Sequence, residues 1–208
     1  MYRALTLFKA NIEDAKNLTS LYEYLEDSIK SPFPFDDLLK AQIVYSVSAF
    51  DKLIHDIIRI GMMEIFTNER PATPKYLAES ISISIYNELI SATVPPQEYI
   101  FEQALFKKFK TVSFQEPEKV AEGLSYFWEE KQKWQKIAIK MGMDDRTAKT
   151  TLKLIINRRN SIVHEADIDP STNQKYSISK DECQSITDFL SKCGEEIVGL
   201  VAISNSQP

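Results

Sequence analysis

Glycine, cysteine and histidine are scarce in this chain, and long apolar runs are missing. Five glycines in 208 residues, with no low-complexity tract, leave disorder unexpected beyond the termini. The two cysteines, Cys183 and Cys193, stand ten apart in one expected helix and face different directions. They have neither disulfide nor zinc-site spacing, so buried thiols are expected. No apolar run approaches the roughly 18 residues that span a bilayer. The opening MYRALTLFKANIEDAK has acids and lysines where a signal peptide carries an apolar segment, so a cytoplasmic protein with no membrane partner is expected. Basic residues are outnumbered, 25 to 30, for a formal net charge of −5. That balance argues against indiscriminate nucleic-acid binding, because polyanion affinity comes largely from Lys and Arg releasing counterions.

The charge is unevenly distributed. Between Lys131 and Arg159 stand nine basic residues against Asp144 and Asp145. A local positive face on an acidic protein suits a defined polyanion site better than general stickiness. The usual reading of such a run is a solvated helix face, with Tyr126, Trp128 and Trp134 in the core rather than stacking on bases.

Apolar spacing is helical almost throughout, and strands are hard to place. Leu5, Phe8, Ile12, Ala15, Leu18, Tyr22, Leu25 and Ile29 predict one long helix that stops before Ser31-Pro32. Asp36 is expected to cap a second, running toward Glu69, with Leu39, Ile43, Val47, Phe50, Ile54, Ile57 and Ile58 inward. Thr73-Pro74 opens a third that ends before Val94-Pro95-Pro96, although its SISISIY run alternates like a strand. Further helices are expected over 97–110 and 117–141. Asp144 or Asp145 caps the next, with Leu152, Ile155, Ile156, Ile162 and Val163 inward and an end near Asp169-Pro170. Ser179-x-x-Glu182 is a capping box for the last. The expected fold is all-α, an antiparallel helical bundle forming a single domain over 1–208 with a helical insertion at 71–115. At this length the chain buries a core without needing a partner.

The segment RRNSIVHEAD, residues 158–167, carries the chemistry. Successive helical residues turn by about 100°, so Asn160 and His164 project from one side while Arg159 lies roughly 140° from His164. The bland reading is a helix C-terminus bearing cations that the macrodipole favours. The sharper one is a site without a Ser or Cys nucleophile, in which the substrate supplies its own. RNA has one in its 2′-OH. Histidine shuttles the proton, arginine neutralises charge on the scissile phosphate, and asparagine holds substrate or histidine. His55, with Asp51 and Arg59 one turn away on either side, reads first as a core-edge or ion-paired histidine. His164, Asp167 and Asp169 are a weaker candidate for a metal, since aspartates there commonly form turns; neither a metal nor another cofactor is expected.

RNSIVH resembles the motif of HEPN-domain ribonucleases, and RRNSIVHEADIDP together with AFDKLIHDIIRIGM on an earlier helix looks like the RiboL-PSP-HEPN branch. The resemblance rests mainly on residues 36–69 and 145–200. It implies an all-α bundle that dimerises so that two motifs face one another in a composite, metal-independent endoribonuclease site, typically of a toxin–antitoxin or antiphage system. An antitoxin protein is then a possible partner. Carried over, Arg159 and His164 are catalytic and Asn160 orients them. Arg158, Lys153, Lys149 and Arg146 are the expected RNA contacts. The alternatives are a noncatalytic bundle that binds a protein or RNA partner, with an exposed apolar patch away from Arg159, and a metal-dependent hydrolase.

Overall fold

The 3.6-residue apolar spacing becomes, in a computed structural model that describes residues 1–203, two long N-terminal helices, α1 (Tyr2–Ser28) and α2 (Asp36–Phe66). Gln42 of α2 meets Thr19 of α1, and Phe8 and Leu53 both close on Gly194, so the two run antiparallel. Helix α2 occupies the centre. Its Ile43, Val47, Phe50, Ile54, Ile57 and Ile58 are fully buried, each contributing roughly 1.5–3 kcal/mol of transfer free energy. The C-terminal helix α9 (Lys180–Ile203) lies against both. Lys9 pairs with Glu195 and Lys16 with Asp188, each at 2.9 Å, which sets α9 antiparallel to α1. Buried polar groups at this junction are satisfied: Gln42 Nε2 donates to Thr187 Oγ1 at 3.0 Å, and the Ser46 and Thr187 hydroxyls lie 3.1 Å apart.

Between α2 and α9 come α3 (Pro74–Leu77), α4 (Ile83–Ser91), α5 (Gln97–Phe109), α6 (Pro117–Leu124), α7 (Lys133–Met141) and α8 (Asp145–His164). Helix α8 also packs on α2, and the pairing of Lys40 with Asp167 just past its end makes it antiparallel to α2. Helix α5 buries Phe101, Leu105 and Phe109 beside α2. Helix α4 rests on α5 and has no buried residue of its own. The only pairing in strand geometry among the described residues is an isolated bridge between Ile168 and Lys175.

Several expected boundaries move. Asp36 is the first helical residue of α2 rather than its cap, which is Phe35; the acid then serves the helix dipole from the first turn. Thr73 caps as expected, accepting from Tyr76 N–H at 3.1 Å, but its helix stops at Leu77. Ser82 then caps α4 through Ile85 N–H at 3.2 Å, and the SISISIY run is helical from Ile83. The expected helix over 117–141 is two helices. The chain leaves helical geometry after Leu124, where Tyr126 N–H and Phe127 N–H each bond three residues back, to Gly123 O and Leu124 O, and Tyr126, Phe127 and Trp128 are all buried. Ser179 accepts from Glu182 N–H at 3.2 Å, while the Glu182 carboxylate faces Arg158 at 3.4 Å. Tyr126, Trp128 and Trp134 are core residues, as the sequence reading held. Both cysteines are buried and free, and burial pushes each thiol up to about 12. No helix among the described residues is long and apolar enough to cross a membrane.

Candidate active site

Helix α8 starts on a firm cap: Asp144 accepts from Thr147 N–H at 2.9 Å and from its hydroxyl at 2.6 Å. Ala148, Leu152, Ile155 and Ile156 are its buried face. Of the four apolar residues expected inward near the motif, Ile162 is only half-buried and Val163 is 45 % exposed, because the last turn runs beyond the core. The helix ends at His164 rather than near Asp169. Ala166 and Asp167 both adopt left-handed backbone, φ 53° and 58°, a conformation that costs a non-glycine residue roughly 1–2 kcal/mol. Asp167 N–H reaching Ser161 O at 3.0 Å closes the helix end.

Ion pairs hold this turn in place. Asp167 is 1 % exposed; its carboxylate meets the Arg158 guanidinium and lies 3.2 Å from Lys40 Nζ. Arg158 also donates to Ser177 O at 3.2 Å and lies over the Tyr176 ring. A phosphate would have to compete with all of these for Arg158. Asp169 is engaged separately, accepting from Ser171 N–H at 2.8 Å and its hydroxyl at 2.6 Å. With both aspartates so occupied, they do not gather round His164, and among the described residues no three His, Cys, Asp or Glu side chains are placed to hold a metal ion.

Around the axis of α8 the motif residues divide between two faces. Arg146, Lys153, Asn157, Asn160 and His164 fall on one stripe at helical spacing, exposed except for the half-buried Asn160. Lys149 lies at its edge, paired with Asp145 at 3.0 Å. Arg159 stands on the bundle side. Its Nη1 donates to Asn160 Oδ1 at 3.0 Å, so the structure joins these two. His164 is exposed and does not line the cavity that Arg159 lines.

That cavity, about 400 Å³, opens between α2, α5 and α8, with Asp51, His55, Arg59, Phe106, Lys110 and Arg159 among its walls. His55 Nε2 is 3.0 Å from Val112 O and 4.0 Å from Asp51, and its ring meets Phe114 edge-on: the core-edge histidine expected. Asp51 accepts from Phe114 N–H at 2.7 Å and from Gln115 Nε2 at 3.2 Å. The sequence reading assigned no site role to Phe106, Arg59 or Lys110. The signal for part of it was the polar face of α2, where Asp51, Lys52, His55, Asp56 and Arg59 recur one turn apart.

The all-α bundle, with Arg159, Asn160 and His164 closing its eighth helix, is of the HEPN class. More narrowly, the chain belongs to the RiboL-PSP-HEPN family, whose model matches residues 9–202. Comparison with curated proteins and with solved structures returned no match. Membership points to a nuclease-like or RNA-related role.

Proposed function

We propose that this protein is a cytoplasmic endoribonuclease of a toxin–antitoxin or antiphage system, cleaving single-stranded or loop RNA without a metal. The observation that carries the reading is Arg159. It lies on the motif helix, bonded to the neutral Asn160, and lines the cavity between α2, α5 and α8. In the reaction, the 2′-OH gives its proton to a base as its oxygen attacks the adjacent phosphorus. The P–O5′ bond breaks and the leaving 5′ oxygen takes a proton, giving a 2′,3′-cyclic phosphate and a 5′-OH. Arg159 neutralises charge growing on the phosphate, and His164 moves the proton. One imidazole supplies one proton-transfer group at a time, whereas the displacement uses a base and an acid. A second copy of the chain brings the second histidine, and the exposure of His164 at the helix end leaves it reachable by one. Arg146, Lys153 and Lys149 extend a phosphate track along α8. The test is RNA cleavage in EDTA by wild type, Arg159→Ala and His164→Ala. Activity should be confined to the wild type, and equal rates for all three would remove the proposal.

A second reading, a noncatalytic module that docks a partner protein, draws on α3 and α4. There Leu77, Ile83 and Ile90 are 71, 79 and 63 % exposed, an apolar face distant in sequence from Arg159. It predicts no cleavage of any RNA.

A further inference from the structure

Two arginines in the cavity between α2, α5 and α8 each hold a buried Nε–H with no hydrogen-bond partner: Arg59 and Arg159. Both Nε atoms are shielded from solvent, so what bears on a ligand in the cavity is the charge of each side chain. Their charges differ in availability. Arg59 is balanced by Glu102 and by Asp56, the latter at 3.5 Å, and Lys52 also meets Asp56 at 2.9 Å. Arg159 meets only the neutral Asn160, and Lys110 at the rim has no ion-pair partner among the described residues. Asp51, also in the wall, accepts only from the neutral Phe114 N–H and Gln115 side chain, with His55 4.0 Å away, so the unpaired charges around the cavity are two cations and one carboxylate.

An aromatic surface adjoins them. Phe106 of α5 is 51 % exposed, and the Arg59 guanidinium lies over its ring, 4.8 Å from the centroid. A guanidinium already balanced by carboxylates and stacked on a ring orients that ring. An exposed aromatic beside unpaired cations is the pairing that single-stranded nucleic acid uses, with bases stacking and phosphates neutralised. A cavity of about 400 Å³ takes a splayed-out base and has no room for a duplex, which favours unpaired RNA.

We infer that this cavity is a nucleotide subsite for single-stranded RNA, in which Phe106 carries the base of a residue flanking the cleaved bond while Arg159 and Lys110 take its phosphate. It makes the 71–115 region a contributor to substrate choice. The inference rests on the nuclease reading of Arg159, but its test is separable. Binding of a short labelled single-stranded RNA is measured by anisotropy in the His164→Ala background, which leaves RNA intact. Phe106→Ala should weaken binding roughly 5- to 150-fold, and Phe106→Trp should restore it. Lys110→Ala should lower the slope of log affinity against log salt by about 0.7. Unchanged affinity in Phe106→Ala overturns the subsite, as does a loss that Phe106→Trp leaves unrepaired while both variants melt like the parent. If wild type cleaves no RNA yet this binding pattern holds, the nuclease reading falls and the subsite stands. If wild type cleaves RNA and Phe106→Ala binds as before, the reverse follows.

Discussion

Replacing Asp167 by Asn probes the turn that positions His164. The carboxylate is 1 % exposed and serves two cations, Arg158 and Lys40, whose side chains are only 15 and 9 % exposed. Asparagine keeps the shape and tolerates the left-handed backbone of φ 58° as readily as aspartate does, so the substitution removes the charge and little else. Two cations are then left facing one another in a nearly dry position. Breaking a buried pair by deleting one member costs about 3–5 kcal/mol. Here Arg158 keeps Glu182 at 3.4 Å and Ser177 O at 3.2 Å, and Lys40 keeps Asp37 at 3.6 Å. The expectation therefore sits at the low end, about 3 kcal/mol. For a chain of this size each kcal/mol moves Tm by roughly 2–4 °C, a fall of roughly 6–12 °C in a calorimetric scan. Pairing the substitution with Arg158→Leu should recover part of the loss, because the excess cation goes with it. A shift under about 2 °C, set against the roughly 6 °C minimum expected here, or strict additivity in the double variant, would refute the account of Asp167 as a buried counter-ion. Since the turn follows His164 directly, RNA cleavage by Asp167→Asn should also fall at temperatures where its helical circular dichroism is intact.

Burial pushes the Glu79 carboxyl upward, but hydrogen bonds from Lys108 and Tyr126 outweigh that and hold it below its ordinary 4.5. A depressed acid stabilises the fold above its unfolded pKa and loses that contribution as pH falls through the folded one. The Tm deficit of Glu79→Gln should therefore be full at pH 7 and shrink below pH 4.5; a deficit independent of pH would contradict it. With both thiols raised to about 12 by burial, Cys183 and Cys193 should resist iodoacetamide at mildly alkaline pH in the native protein and react together in denaturant. Labelling of either at the denatured rate in native protein would show that its burial is not maintained.

What could be read from the chain and what could not separate along physical lines. Caps formed by neighbours three residues apart were legible, as at Thr73, Asp144 and Ser179, because the atoms involved are local. So was the inward face of α2, whose apolar spacing leaves one packing solution. The break at 125–132 was not, since Tyr126, Phe127 and Trp128 each fit a helix, and their burial outside one is set by tertiary packing rather than by a local signal. The true end of α8 depends on Lys40 reaching Asp167 from a helix far away in sequence. Arg158 looked like a ligand contact for the same reason: the carboxylate that engages it lies past a turn whose left-handed residues, Ala166 and Asp167, no residue preference announces.

The division of the motif across α8 has a consequence for how any substrate must lie. Arg159 belongs to the bundle side, and His164 lies on the outer stripe with Asn160 and Lys153. Five residues of helix put their side chains roughly 140° apart. The Arg159 side chain bridges part of that angle, its Nη1 reaching Asn160 on the outer stripe, but His164 does not line the cavity. Under the proposed reaction, a phosphate seated in the cavity by Arg159 would lie away from its own chain's His164. The α8 backbone cannot twist by a third of a turn without giving up the burial of Leu152, Ile155 and Ile156, so the proposed reaction, if it needs both groups on one phosphate, calls for the histidine of a second chain; RNA cleavage by a strict monomer in sedimentation would contradict that.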